Sequence, residues 1–403
     1  MSGKEAKAVV PKLRFPEFRE AGAWEVKRLG GYLVGKPEYG VNAPAVPFQE
    51  NLPAYLRITD ISEEGKIVKS NRVSVDLRAK REQYLSVGDI VLARTGASVG
   101  KSYKYRSKDG KLVFAGFLIR IKSNPEKLNS EFLFQYLYTG RYWRWVEFSS
   151  ARSGQPGING AEYASMLLPI PPELSEQQKI AHCLSSLDEV IGLQAKKVQA
   201  LKQHKKGLMQ QLFPAEGETT PRLRFPEFRE AGAWEVKELS AALAYAQPTP
   251  FIVSTEQYGT SGTPVLTAGK TFILGHTSED FGIYERVPVI IFDDFTTEAK
   301  FVDFPFKVKS SAIKILSPRP GYSLKFVLEA IISIQFDASQ HKRHWIGEFQ
   351  HLKIPFPPPK EQQKIAHCLS SLDDVIGLES HKLDALKNLK KGLMQQLFPQ
   401  EVA

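Results

Sequence analysis

Apolar residues recur along one stretch of the chain at alternating spacings of four and three. From Ile180 they fall on Leu184, Leu187, Ile191, Val198, Leu201, Leu208 and Leu212, with Gln194 and Lys205 filling the two polar slots. The pattern returns at Ile365, Leu369, Leu372, Ile376, Leu383, Leu386, Leu393 and Leu397, with Glu379 and Lys390 in the same two slots. Eight apolar positions out of ten, held over about five heptads, predict a long helix with a coiled-coil seam in each stretch. Polar residues inside such a seam lower stability and tend to fix register. Proline-rich runs precede both stretches (Pro169, Pro171, Pro172; Pro355, Pro357, Pro358, Pro359), and Pro214 and Pro399 close them. Proline has no amide hydrogen to give a helix interior, so these are natural limits. Gly192 and Gly377 lower helix propensity by ~1 kcal/mol each against alanine without breaking it. About 38 residues at ~1.5 Å each would make a rod of ~57 Å. A seam of this kind needs a partner; the simplest is the other helix of the chain, antiparallel if the duplicated halves are related by a pseudo-two-fold axis, and the alternative is pairing between chains.

The seam belongs to a larger duplication. PKLRFPEFREAGAWEVK at 11–27 returns as PRLRFPEFREAGAWEVK at 221–237. EQQKIAHCLSSLDEVIGL at 176–193 returns at 361–378 with one change, and KKGLMQQLFP at 205–214 returns unchanged at 390–399. The expected organisation is a repeated lead segment (1–27), a variable domain (28–175), a spacer helix (176–214), a linker with the second lead segment (215–237), a second variable domain (238–360), a second helix (361–399) and a tail (400–403). Near-identity confined to the frame suggests one job done twice, and divergence in between suggests two different targets.

Within 28–175, VGDIVLA (87–93) and LVFAGFLIRI (112–121) read as strands and 129–142 as a helix. Within 238–360, VPVIIFD (287–293) and SSAIKIL (310–316) read as strands and SLKFVLEAIISI (323–334) as a helix. The expected fold class is therefore α+β: two mixed domains, two long helices in an antiparallel coiled coil, and an internal two-fold repeat.

Charge sharpens the contrast between the variable segments. The chain carries +10 formally. Segment 28–175 has 21 Lys and Arg against 14 Asp and Glu, whereas 238–360 has 12 of each. A basic excess favours a polyanion, and the second segment would have to rely on locally placed charges. With no apolar run near the ~20 residues of a membrane span, no signal-peptide pattern and only Cys183 and Cys368, a cytoplasmic protein without membrane, disulfide framework or metal site is expected. In an antiparallel pair the two cysteines would lie ~36 Å apart, too far to bond within a chain.

Polar and basic residues in Gly/Ser-rich loops are the candidate DNA-facing groups: Arg94, Thr95, Ser98, Lys101, Lys104 and Arg106, then Arg141, Arg144, Arg152, Ser153, Gln155 and Asn159. In the second segment they are Lys270, Thr271, Lys307, Lys309 and the HKRH run at 341–344, including Lys342 and Arg343. Such side chains can bond base edges or phosphates. Trp143 and Trp145 read as packing residues. TGASVGKS at 95–102 has Thr95 where a phosphate-binding loop requires glycine. Asp293, Glu298 and Lys300 resemble a nuclease core but are spaced too tightly, and His182 and His367 face away from the neighbouring Cys183 and Cys368. A catalytic site or cofactor is not expected.

The tandem layout, IPPELSEQQKIA (170–181), FPPPKEQQKIA (356–366), KKGLMQQLFP at each helix end, LRFPEF with WEVK at each start, and GDIVLARTGASVGK with SGQPGI resemble the specificity subunit of type I restriction-modification enzymes. The second variable domain lacks the last two motifs. The resemblance implies two target-recognition domains, each reading half of a bipartite, asymmetric double-stranded DNA site. It implies a coiled-coil ruler, docking of two adenine-methylating modification subunits, and restriction-translocase subunits in the full complex. The chain itself would supply no catalytic residue or cofactor. A related restriction system with a fused nuclease-methylase partner is the alternative, and a stand-alone nuclease using Asp293, Glu298 and Lys300 a more remote one.

Overall fold

The computed structural model describes residues 9–77, 83–267, 271–334 and 343–399. They form two compact units, Met1–Gln194 with Lys382–Ala403, and Ala195–His381, so that the division runs through both long helices.

The first unit begins with β1 (Glu25–Arg28), β2 (Glu38–Tyr39), β3 (Ala45–Pro47), β4 (Ala54–Leu56), β5 (Val73–Val75), β6 (Asp89–Ala93), β7 (Ser102–Lys104), β8 (Leu112–Phe114) and β9 (Leu118–Lys122). Then come α1 (Ser130–Tyr136), α2 (Gly140–Ser150), α3 (Gly160–Ser165), β10 (Leu167–Ile170) and the long α4 (Leu174–Leu212). Two four-stranded sheets, ordered β2-β9-β6-β7 and β3-β5-β4-β8, carry the domain, while β1 pairs with β10. The apolar run at 112–121 is not one strand. It turns at 115–117, and Leu118 donates its amide to the Ala115 carbonyl (2.8 Å). The expected helix over 129–142 likewise breaks after Leu137, and Thr139 caps α2 instead.

The second unit holds β11 (Glu235–Glu238), α5 (Leu239–Ala242), β12 (Leu243–Ala246), β13 (Thr263–Leu266), β14 (Ile273–Thr277), β15 (Val289–Asp293) and β16 (Ala299–Val302). It continues with β17 (Lys307–Val308), β18 (Ile313–Pro318), α6 (Leu324–Ser333), β19 (Lys353–Phe356) and α7 (Pro359–Leu397). Its main sheet is β12-β18-β15-β16, its smaller one β14-β13-β17, and β11 pairs with β19. Strand for strand, the main sheets have the same order, although the sequences do not align.

The repeated segments do equivalent work in each unit. Arg14 makes a two-pronged ion pair with buried Glu176 (2.8 and 2.7 Å), and Arg224 does the same with Glu361 (2.7 and 2.7 Å). Each lead segment also bonds a helix end, Leu13 to Gln396 and Leu223 to Gln211. Phe398 packs among Trp24, Phe132 and Tyr136, and Phe213 between Trp234 and Phe326. These aromatic clusters seal each lead segment onto the helices and onto α1 or α6.

Within each unit the long helices lie antiparallel. In the second, Lys197 pairs with Glu379 and Lys205 with Asp373, rising along one helix as the partner falls along the other. In the first, Lys390 pairs with Asp188 (2.6 Å). All the seam positions are buried or half-buried, Gln194 and Lys205 included. The polar seam lysines are thus held by carboxylates of the facing helix. Cys183 and Cys368 are free thiols.

Candidate nucleic-acid interface

In the first domain the candidate residues gather at the C-terminal end of β6. Arg94 donates its amide to Phe117 (3.1 Å) and accepts from Ile158 (2.9 Å), while Gly96 donates to Pro156 (3.0 Å). The two motifs GDIVLARTGASVGK and SGQPGI therefore meet as paired loops. Buried tyrosine hydroxyls pin them from below: Tyr163 donates to Ala93 (2.8 Å) and Tyr142 to Gly100 (2.6 Å). Burial drives both phenols well above their ordinary pKa, so they stay donors at any physiological pH. Gly100 has φ +87°, and a Cβ there would sit 2.7 Å from Val146, so α2 can approach only a glycine.

The candidate residues around these loops differ in how free they are. Thr95 and Ser98 are half-buried, whereas Ser153 and Gln155 are exposed. Lys101 pairs with Glu63 (2.5 Å) and Lys104 with Glu131 (2.6 Å). Arg152 is tied to Glu162 and to the Ser149 and Ala151 carbonyls. Asn159 caps α3, accepting from the Glu162 amide (2.9 Å). Arg106 and Arg141 are half-buried and Arg144 exposed on α2. Trp145 stacks on Tyr142, but Trp143 on α2 stays partly exposed, and Phe148 is open. Two exposed aromatic residues escape sequence reasoning altogether, because strand-like flanks hide them: Tyr39 on β2 and Phe117 in the 115–117 turn. The Arg94 guanidinium lies over the Tyr39 ring, 5.0 Å from its centre.

The second domain builds the corresponding corner from different chemistry. The Asp293 carboxylate accepts from the Phe295 and Thr296 amides and so shapes the β15–β16 turn. Asp294, buried, pairs with Lys314 (3.0 Å) and accepts from the Trp345 amide (2.8 Å), while its carbonyl accepts from His344 (2.9 Å). Residues 343–345 are thereby fastened to the turn, as 156–158 are in the first domain. Arg343 is exposed and bonds Ser311 (3.0 Å). Thr271 is exposed, and Lys309 is open beside Glu256. Lys307 corrects the expectation: it is fully buried, bonded to Glu279 (2.5 Å) and the Phe281 carbonyl (2.7 Å), because its strand faces the core. It cannot touch DNA. Lys270 and Lys342 lie outside the described residues.

The nuclease-like set does not form a site either. Asp293 is consumed by its turn, and Lys300 sits over Phe272 (4.6 Å). Among the described residues no group of three or more His, Cys, Asp or Glu is placed to hold a metal ion, and no helix is long and apolar enough to cross a membrane.

The profile of the type I restriction modification DNA specificity domain matches residues 53–203 and 289–388. The chain belongs to this family. It carries two such domains, one in each half, and is a specificity-subunit chain. A 127-residue stretch is 47% identical to the type I restriction enzyme EcoR124I/EcoR124II specificity subunit of Escherichia coli, covering 30% of this chain and 31% of that one. Over far greater length, the chain is 24% identical to the type I restriction enzyme MjaVIII specificity subunit of Methanocaldococcus jannaschii, covering 96% of this chain and 93% of that one. The crystal structure of a type I restriction-modification S subunit from M. genitalium shares the fold, with a TM-score of 0.67 at 15% identity over 98% of this specificity subunit and all of that chain.

Proposed function

We propose that this specificity subunit reads a bipartite, asymmetric double-stranded DNA sequence, one half per variable domain, and catalyses nothing itself. The observation that carries this reading is the pairing of an almost unchanged frame with two unlike contact corners built on the same sheet order. One frame serving two readers is what a split, asymmetric target needs. The paired helices set the length of the unread spacer, and a second binding event made intramolecular raises overall affinity.

The frame also supplies a repeated outer surface. Val190 and Leu193 on α4 are exposed, and so are their repeats Val375 and Leu378 on α7. Solvent-facing apolar residues kept in both copies suit one partner type used twice, in line with two modification methyltransferase subunits, to which restriction-translocase subunits would add in the full complex.

Methylome sequencing of cells with and without the gene tests the reading: a split motif should vanish on deletion. Inserting one heptad into both helices together should change the spacer, and an unaltered spacer would refute the ruler.

A further inference from the structure

Arg94 differs from three of the other candidate cations of the first domain. Lys101, Lys104 and Arg152 each have a carboxylate partner. The Arg94 guanidinium has no hydrogen bond or ion pair with any described residue, yet it is not a loose side chain. Its amide and carbonyl are both taken, by Phe117 and Ile158, and the next residue forms a bridge to Gly157. Its guanidinium lies on Tyr39, whose own hydroxyl accepts from the Gly160 amide (3.0 Å). The approach is close, since a Cβ at Gly160 would sit 3.2 Å from Pro37 and in ordinary contact, 3.6 Å, with the Tyr39 hydroxyl. The exposed ring of Phe117 belongs to the turn that holds the Arg94 amide.

We propose that Arg94 is a base-reading residue that takes the N7 and O6 edge of a guanine in the half-site of the first domain, with Tyr39 as its positioning residue. This rests on the DNA-reading function above and goes beyond it by naming the base class. A phosphate needs only a positive charge at the right depth, which flexible lysines supply. A guanine edge needs the planar fork in one orientation, with its donors unspent. Backbone bonds on both sides and an anchored aromatic ring 5.0 Å from the guanidinium carbon restrict the side chain before DNA arrives, and its donors have no partner among the described residues.

The test is methylome sequencing of cells carrying the complete system with wild-type chain, R94A, R94K, Y39A or Y39F. The wild-type chain should give a split motif with a guanine on one strand of one half-site. R94A and R94K should both relax that one position, by roughly 10- to 100-fold in preference, with the other half-site unchanged. Y39A should relax the same position in part, and Y39F, which keeps the ring, should stay near wild type. Retention of preference by R94K, or an even loss of methylation at every site in R94A together with a shallower salt dependence of DNA binding, would mark a phosphate contact and overturn the assignment. Relaxation in both half-sites at once would do the same. Absence of any split motif with the wild-type chain would instead remove the functional reading on which the assignment stands.

Discussion

The two recognition domains hold the same corner together by different means. In the first, a glycine-rich loop is laid over α2 and tied by the hydroxyls of Tyr142 and Tyr163. In the second, a buried Asp294–Lys314 pair does the fastening, and the left-handed turn position is occupied by Thr297 (φ +60°) rather than glycine. Beneath the corner, both domains dock on the long helices through one shared plan. Asn129 and Ser323 cap α1 and α6, and their amides are taken by Gln177 and Gln362, which are repeats of each other (2.9 Å each). Phe132 and Phe326 follow three residues later in each, both against the lead-segment tryptophan. The lesson is that the two copies share the frame side of their sockets residue for residue and differ in the corners built above them.

The largest expected effect comes from breaking the sockets. Glu176 and Glu361 are buried, each matched to a buried arginine. Replacing either with alanine removes the charge partner of that arginine, which keeps only two backbone carbonyls as acceptors among the described residues, and should cost about 3 kcal/mol. The comparison sharpens because the copies are not equal: Glu176 also accepts from the Trp24 indole (3.2 Å), whereas the Trp234 indole nitrogen is buried with no partner among the described residues. E176A should therefore lose more than E361A, by about 1 kcal/mol. Hydrogen exchange in residues 11–27 and 221–237 of the full chain reads each socket separately, and the reverse order would show that the indole bond contributes nothing.

Much of this frame was legible in the sequence, because repetition and a heptad seam are periodic signals that survive without tertiary knowledge. The predicted helices at 176–214 and 361–399 differ from α4 and α7 by two residues at each end. Pro359 opens α7 instead of preceding it, since a first-turn residue needs no amide partner. The reader corners were less legible. Lys307 reads as a surface cation close to Lys309 and two serines, but its strand faces the core and Glu279 pairs with it there. Tyr39 carried no local signal, because only the tertiary fold brings it beneath Arg94. Nor could the sequence show that Asp293 and Asp294 build a turn, a role that depends on amides 295, 296 and 345 arriving at bonding distance.

Swapping the turn chemistry between domains should have a middle-sized effect. Gly100→Ala places a Cβ at 2.7 Å from Val146 and at a left-handed φ, and should cost about 2 kcal/mol. Adding Val146→Ala should return the steric share but not the backbone share, which a double-mutant cycle on melting separates. Thr297→Gly in the other domain should gain up to ~1 kcal/mol, since glycine accepts that φ without strain. A loss on Thr297→Gly would mean that the threonine side chain supports the turn in a way its backbone does not reveal.

The smallest effect concerns a socket position on α1 and α6 where the copies carry different charge. Gln135 on α1 donates to Asp188 (2.8 Å), which also holds Lys390. Its counterpart Glu329 on α6 shares Lys205 with Asp373. Burial, reinforced by Asp373, raises the Glu329 pKa despite the attraction of Lys205, and one of its oxygens has no partner among the described residues. A raised carboxyl pKa means that the folded chain keeps a proton which the unfolded chain has released. The stability contributed by this group is then greatest below the ordinary carboxyl range and falls as pH rises through the raised value. Glu329→Gln copies the solution of the first domain and leaves Lys205 with Asp373. At neutral pH it should be neutral or stabilising by about 1 kcal/mol, with the advantage shrinking as pH is lowered toward 5. Melting curves of the two chains across that interval decide the matter. A variant that is less stable than the parent at pH 7, and recovers on acidification, would show that the Glu329 carboxylate holds Lys205 more strongly than its burial opposes it.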